Sequence, residues 1–70
     1  MKKIKIKNNQ INLDQFLKWA SLVSTGGEAK MIIQAGEVMV NGEIERRRSK
    51  TLTNEDIIKY DGRTYQIVTS

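Results

Sequence analysis

The chain has 70 residues with no cysteine and no histidine, and its 12 basic and 8 acidic side chains give a formal charge of +4. That length holds one domain, residues 1–70, around a small core, and roughly 3–5 kcal/mol is the net stability such a chain reaches without cross-links. Without thiol or imidazole the chain has no disulfide framework or thiolate metal site and lacks the commonest general base, so neither an enzyme nor a cofactor is expected and a reducing cytoplasm is the natural setting.

Residues 3–7 alternate lysine with isoleucine, the period of a half-buried strand with one basic face. No apolar run follows, so neither a signal peptide nor a membrane span is expected. The lysines also suit an edge strand, where charge discourages pairing with other chains.

A helix start follows. Asn12 is placed to cap, Gln15 falls at the third helical position and Ile11 can staple against Phe16. Leu13, Phe16, Leu17, Ala20 and Val23 then recur at helical spacing, which predicts a helix running to about Val23. Thr25 and Glu28 repeat the capping-box spacing, Ala29, Ile32 and Ile33 continue an apolar stripe, and Gly36 is the natural stop. So short a connection makes the two helices a corner that shares one core.

The remainder reads as strands. Val38, Met39, Val40 and Ile44 flank Asn41-Gly42, and Asp61-Gly62 separates the run Ile57 to Tyr60 from Thr64 to Val68. Both dipeptides are hairpin signals. Strand, helix, helix and a run of strands give an α+β domain, with two short helices on one side of a small antiparallel sheet.

Chemistry has few carriers. Ser21, Ser24, Ser49 and Ser70 lack an activating histidine and fit surface or capping roles, while Glu55-Asp56 reads as a solvated turn rather than an acid pair. Gly26-Gly27 leaves the second helix's first amides open to a phosphate, yet Glu28 and Ala29 stand where a nucleotide-binding loop needs lysine and a hydroxyl. Lys30 lies one turn further on. Trp19 lies beside Lys18 just off the core stripe, where the core edge is favoured over the alternative that its ring is offered to a nucleotide; Phe16, Tyr60 and Tyr65 sit where a core wants them, so a paired aromatic platform is not the expected mode of recognition.

Eight of the twelve basic residues fall in two short stretches, Lys2 to Lys7 and Arg46 to Lys50. Guanidinium forks match phosphate, which makes Arg46, Arg47, Arg48 and Lys50 phosphate candidates. If that stretch is extended, Arg46, Arg48 and Lys50 share a face and Arg47 opposes them; a loop would let all four converge.

Leu13 to Leu17, Glu28-Ala29-Lys30 and the run Ile33 to Gly42 together resemble the S4 RNA-binding domain, over about residues 12–60. Gly26 to Lys30, and Asn41 to Glu45 leading into Arg47-Arg48, further resemble its small stand-alone YaaA-type members. The resemblance implies an αL fold, no enzyme activity, and a basic face that grips structured RNA, with ribosomal RNA or a ribosomal subunit precursor as the expected partner. No small-molecule substrate and no membrane are implied, and a monomer is expected. The expected contacts are Lys18, Thr25, Gly26, Gly27, Lys30, Arg46, Arg47, Arg48 and Lys50, converging on one surface. Asn12 stands where many members have arginine, Thr25-Gly26-Gly27 where they have Ser-Arg-Ser, and Glu55 where a turn glycine is common. The rival readings are a protein adaptor docking through Trp19 and Met31, and a non-specific nucleic-acid binder.

Overall fold

The computed structural model describes residues 1–69; Ser70 lies outside the described residues. The elements in chain order are β1 (Lys2–Lys5), β2 (Gln10–Asn12), α1 (Leu13–Trp19), α2 (Gly26–Gln34), β3 (Val38–Val40), β4 (Glu43–Ile44), β5 (Thr51–Thr53), β6 (Ile57–Tyr60) and β7 (Arg63–Val68). They build a five-stranded sheet in the order β1-β7-β6-β3-β4 and a separate two-stranded sheet of β2 and β5.

Both turn dipeptides make the hairpins expected of them. Asn41 and Gly42 have φ of 51° and 87°, Asp61 and Gly62 of 55° and 74°, the paired left-handed residues of a type I′ turn whose twist matches the flanking strands. Asn41 also anchors its hairpin to β6: its Nδ2 donates to Asp56 Oδ1 at 3.0 Å and its Oδ1 accepts the Ile57 N–H at 2.9 Å. Asp56 Oδ2 accepts the Thr53 N–H at 2.8 Å, so this residue organises the turn before β6 rather than merely facing water. Glu55 has φ of 74° and so holds the left-handed shape that a glycine would take without strain.

The sheet departs from the antiparallel expectation at one edge. β1 runs parallel to β7, Lys2 opposite Tyr65 and Lys5 opposite Val68, while the other pairs are antiparallel. Alternation of lysine and isoleucine dictates which face each side chain takes but not strand direction, and the intervening chain is ample for the crossover a parallel pair needs. Ile4 is half-buried and Ile6 buried, with Lys2, Lys3 and Lys5 exposed along this edge strand.

Helix α1 stops at Trp19, four residues short of the predicted Val23. Ser21 turns left-handed at φ 60°, its N–H donating to Lys18 O and that of Leu22 to Leu17 O. This pair of bonds closes the helix as a Schellman motif. Val23 is buried all the same, so the apolar stripe outlasts the helix. α2 ends by the same device at the glycine expected for it: Gly36 has φ of 79° and donates to Ile33 O, and Glu37 donates to Ile32 O.

The helix starts differ. For α2, Thr25 Oγ1 accepts the Glu28 N–H at 3.1 Å, and the Glu28 carboxylate reaches the Ser24 N–H at 2.7 Å. For α1 the predicted box is absent, since Asn12 makes no side-chain cap. Leu13 and Asp14 instead donate their N–H groups to the carbonyls of Lys50 and Arg48, at 2.8 and 3.0 Å. Leu13, Phe16 and Leu17 of α1, and Ala29 and Ile33 of α2, bury completely against Val38, Ile58 and Ile67 of the sheet.

Candidate nucleic-acid interface

The basic segment after β4 is a loop. Lys50 N–H donates to Arg47 O at 3.2 Å, closing a turn whose Arg48 and Lys50 carbonyls cap α1. At its other end, Arg46 Nη1 donates to Gln34 O at 3.0 Å, and its guanidinium lies where a Cβ on Gly36 would come within 2.9 Å of it. A cation there complements the C-terminal dipole of α2. The segment therefore ties the end of one helix to the start of the other.

This geometry divides the four basic side chains. Arg46 is turned onto α2 as its cap. Arg47 folds back on Glu45, with Nε 3.2 Å and its backbone N–H 3.1 Å from Oε2. Hydrogen bonds from the Arg47 side chain and backbone hold the Glu45 carboxyl below its ordinary pKa. Arg47 nonetheless remains 74% exposed. Arg48 is exposed and has no side-chain partner among the described residues, and Lys50 is half-buried. Arg47, Ser49, Lys50 and Thr51 wall a shallow depression of about 290 Å³. The loop thus exists, but it does not make all four residues converge.

A second group stands at the opposite end of α2. Gly26 and Gly27 are exposed, with nothing within 4 Å of a Cβ built on Gly26. The Thr25 hydroxyl is occupied by the Glu28 N–H, and Lys30 is exposed one turn on. Nine residues at 1.5 Å each put about 13 Å between this end and Arg46, so one phosphate cannot bridge the two groups. Carboxylates stand near both ends of α2: burial raises the Tyr60 pKa, and Glu37 and Asp61, then Glu28, raise it further.

Lys18 belongs to a third place. With Trp19 and Gln15 it forms one wall of a cleft of about 460 Å³, completed by Ile6, Lys7, Asn8, Gln10 and Ile11. Trp19 is 46% exposed, its Nε1 donates to Lys5 O at 2.8 Å, and Lys7 Nζ stands 5.7 Å from the ring centroid. The core-edge position read from the sequence fits this anchored ring, but the cleft and its Lys7 were not foreseen. No local pattern joins residues 12 apart on a strand end and a helix; the docking of β1 beside α1 does.

Among the described residues no group of carboxylates is arranged to hold a metal ion, and no helix is long and apolar enough to cross a membrane. What remains is a surface of cations on two short helices, a clamped loop and a sheet edge, the arrangement of an αL-type α+β binding domain. The S4 domain family model matches residues 4–68, and the chain belongs to that family. It is 38% identical over 66 residues to "Probable ribosome maturation protein RlbA" of Bacillus subtilis, with 93% of each chain covered. Among solved structures it is similar to YbcJ of E. coli, described as having an αL motif involved in RNA-binding, with TM-score 0.72, 26% identity, and 97% of this chain and 87% of that one covered. The 30S ribosomal protein S4e of Thermoplasma acidophilum shares the fold at TM-score 0.64 and 22% identity over 84% of this chain, which spans 31% of that protein.

Proposed function

We propose that this chain is a non-enzymatic, cytoplasmic RNA-binding protein of ribosome maturation, acting as a monomer on ribosomal RNA or a subunit precursor. The observation that carries the reading is the clamped loop. Arg47, Arg48 and Lys50 extend from a backbone whose Arg48 and Lys50 carbonyls are taken by α1, whose Arg47 carbonyl closes the loop on Lys50 N–H, and whose first residue, Arg46, is pinned to α2. Cations on so fixed a frame lose little freedom when they meet a phosphate, and they follow backbone shape more than sequence.

Within this reading Arg47, Arg48 and Lys50 carry the principal phosphate contacts. Lys18, Lys30 and the Thr25-Gly26-Gly27 turn meet phosphates elsewhere along the RNA. Arg46 serves by holding the loop. Family membership and the ribosome-maturation relative support the assignment, as does the RNA-binding motif described for the E. coli structure.

The test is co-sedimentation of tagged protein with ribosomal subunits and their precursors at low salt. The Arg47→Glu/Arg48→Glu variant is expected to leave the pellet with its circular dichroism unchanged; a variant that still co-sediments would remove the site. Arg46 is left intact in this test, because reversing it would break the α2 cap. The exposure of Met31, at 71%, keeps an adaptor docking through apolar contacts as the second reading, which a salt-independent association would select.

A further inference from the structure

We infer that the cleft between the β1–β2 connection and α1 takes one unpaired nucleobase of the bound RNA, stacked against Trp19, with its phosphate between Lys7 and Lys18. This rests on the RNA-binding reading and adds to it a site that is separate from the basic loop.

Four observations point to this ligand. Trp19 is about half exposed and yet its ring is fixed, because the indole N–H is bound to the Lys5 carbonyl at 2.8 Å. A rigid, solvent-facing aromatic ring is what a base needs for stacking, and stacking is available to every base. The opening, about 460 Å³, is in the range of sites that hold small organic ligands. Of its eight lining residues two are lysines and none is acidic, so it favours an anion-bearing guest. The side-chain amides of Asn8, Gln10 and Gln15 line it as well and, among the described residues, make no hydrogen bond. Each offers both a donor and an acceptor to a base edge.

Lys7 is placed to respond to a guest in the cleft. Its ammonium stands 5.7 Å from the Trp19 centroid, a cation–π contact that is weak at an exposed site. An arriving base displaces it from the ring, and the ammonium passes to that nucleotide's phosphate. Paired RNA cannot use the cleft, because its bases are stacked within the helix, whereas loops and bulges present them.

Trp19 is the single tryptophan of the chain, so its fluorescence reports on the cleft directly. The experiment compares two end-labelled RNAs of equal charge: a hairpin with an unpaired apical loop, and a blunt, fully paired duplex. Protein fluorescence and RNA anisotropy are followed together. The hairpin is expected to quench Trp19 and bind about tenfold tighter than the duplex, which leaves fluorescence unchanged. Lys7→Gln/Lys18→Gln, two exposed positions, is expected to reduce that preference at least threefold without affecting the fold. Trp19→Phe keeps a ring and most of the preference, whereas Trp19→Ala, checked for folding by circular dichroism, abolishes it and retains duplex binding.

Equal binding of both RNAs with Trp19 unquenched overturns the base site and leaves the RNA-binding reading standing. Failure of either RNA to bind overturns both. Quenching by adenosine or uridine monophosphate at the hairpin's own concentration overturns the assignment to RNA in favour of a free nucleotide.

Discussion

Arg46 and Arg48 are two residues apart in a run of like charges, yet their surroundings give them different tasks. The Arg46 guanidinium caps α2 through Gln34 O and lies against Gly36, whereas the Arg48 side chain is exposed. Arg46→Ala is therefore expected to lower stability by about 1 kcal/mol, the scale of a hydrogen bond and a dipole contact together, with a lesser effect on RNA affinity. Arg48→Ala should leave the urea midpoint in place, weaken RNA binding across sequences and reduce the magnitude of the salt slope by about 1. Paired urea titrations and binding isotherms separate these outcomes. Gly36→Ala places a Cβ into both the left-handed backbone and the guanidinium, and a loss of about 1–2 kcal/mol from the backbone alone is expected in the same titrations. Glu55 sits at the opposite balance: Glu55→Gly relieves a left-handed residue and should raise stability, read as a higher urea midpoint, by less than about 1 kcal/mol because glycine also loosens the unfolded chain.

At the scale of elements, the capped start of α1 is the decisive feature. Asn12 and Gln15 have the spacing of a capping box, but the carbonyls of Arg48 and Lys50 reach the first amides of α1 instead. A local motif competes with any tertiary partner for the same donors, and here the tertiary partner wins. The loop this holds in place also restrains one of its own cations, since Arg47 is engaged by Glu45. Glu45→Gln removes that charge and frees the guanidinium, so RNA is expected to bind about threefold tighter by anisotropy at low salt. The carboxyl's folded pKa is depressed below its ordinary value near 4.5. Its contribution to stability is therefore complete above that value and is lost as pH falls through the folded pKa. Acid unfolding of Glu45→Gln, followed by circular dichroism, is expected to lack this part of the pH dependence and to match the parent's shape above pH 5.

For the whole molecule, the cations that can meet RNA stand in several separate places, and acids stand among them. Cations mark the loop, the β1 edge and the Trp19 cleft, while Glu28, Glu37 and Asp61 all act on Tyr60. RNA bound through about five of its phosphates should show a log-log salt slope of roughly −3.5 to −4.5, measured between low and physiological salt. A slope near zero would favour an apolar docking surface. The separation of Arg46 from Gly26-Gly27 by the length of α2 means that such contacts are distributed along an RNA rather than gathered on one phosphate.

Much of this architecture is legible in the linear chain because its causes are local. Asn41-Gly42 and Asp61-Gly62 make hairpins through backbone preferences of two residues, Thr25 and Glu28 start α2, Gly36 ends it, and Leu13, Phe16, Leu17, Ala29 and Ile33 bury as their spacing requires. The family resemblance uses those same positions. What tertiary structure alone decides is which distant groups meet. The parallel pairing of β1, the loss of the α1 box to the basic loop, the turning of Arg46 onto α2 and the meeting of Lys7 with Trp19 each join residues far apart in sequence. Their energies depend on packing that no short window contains. Composition determined that the chain carries excess positive charge; only the fold determined which of those charges stabilise the protein and which remain free for a partner.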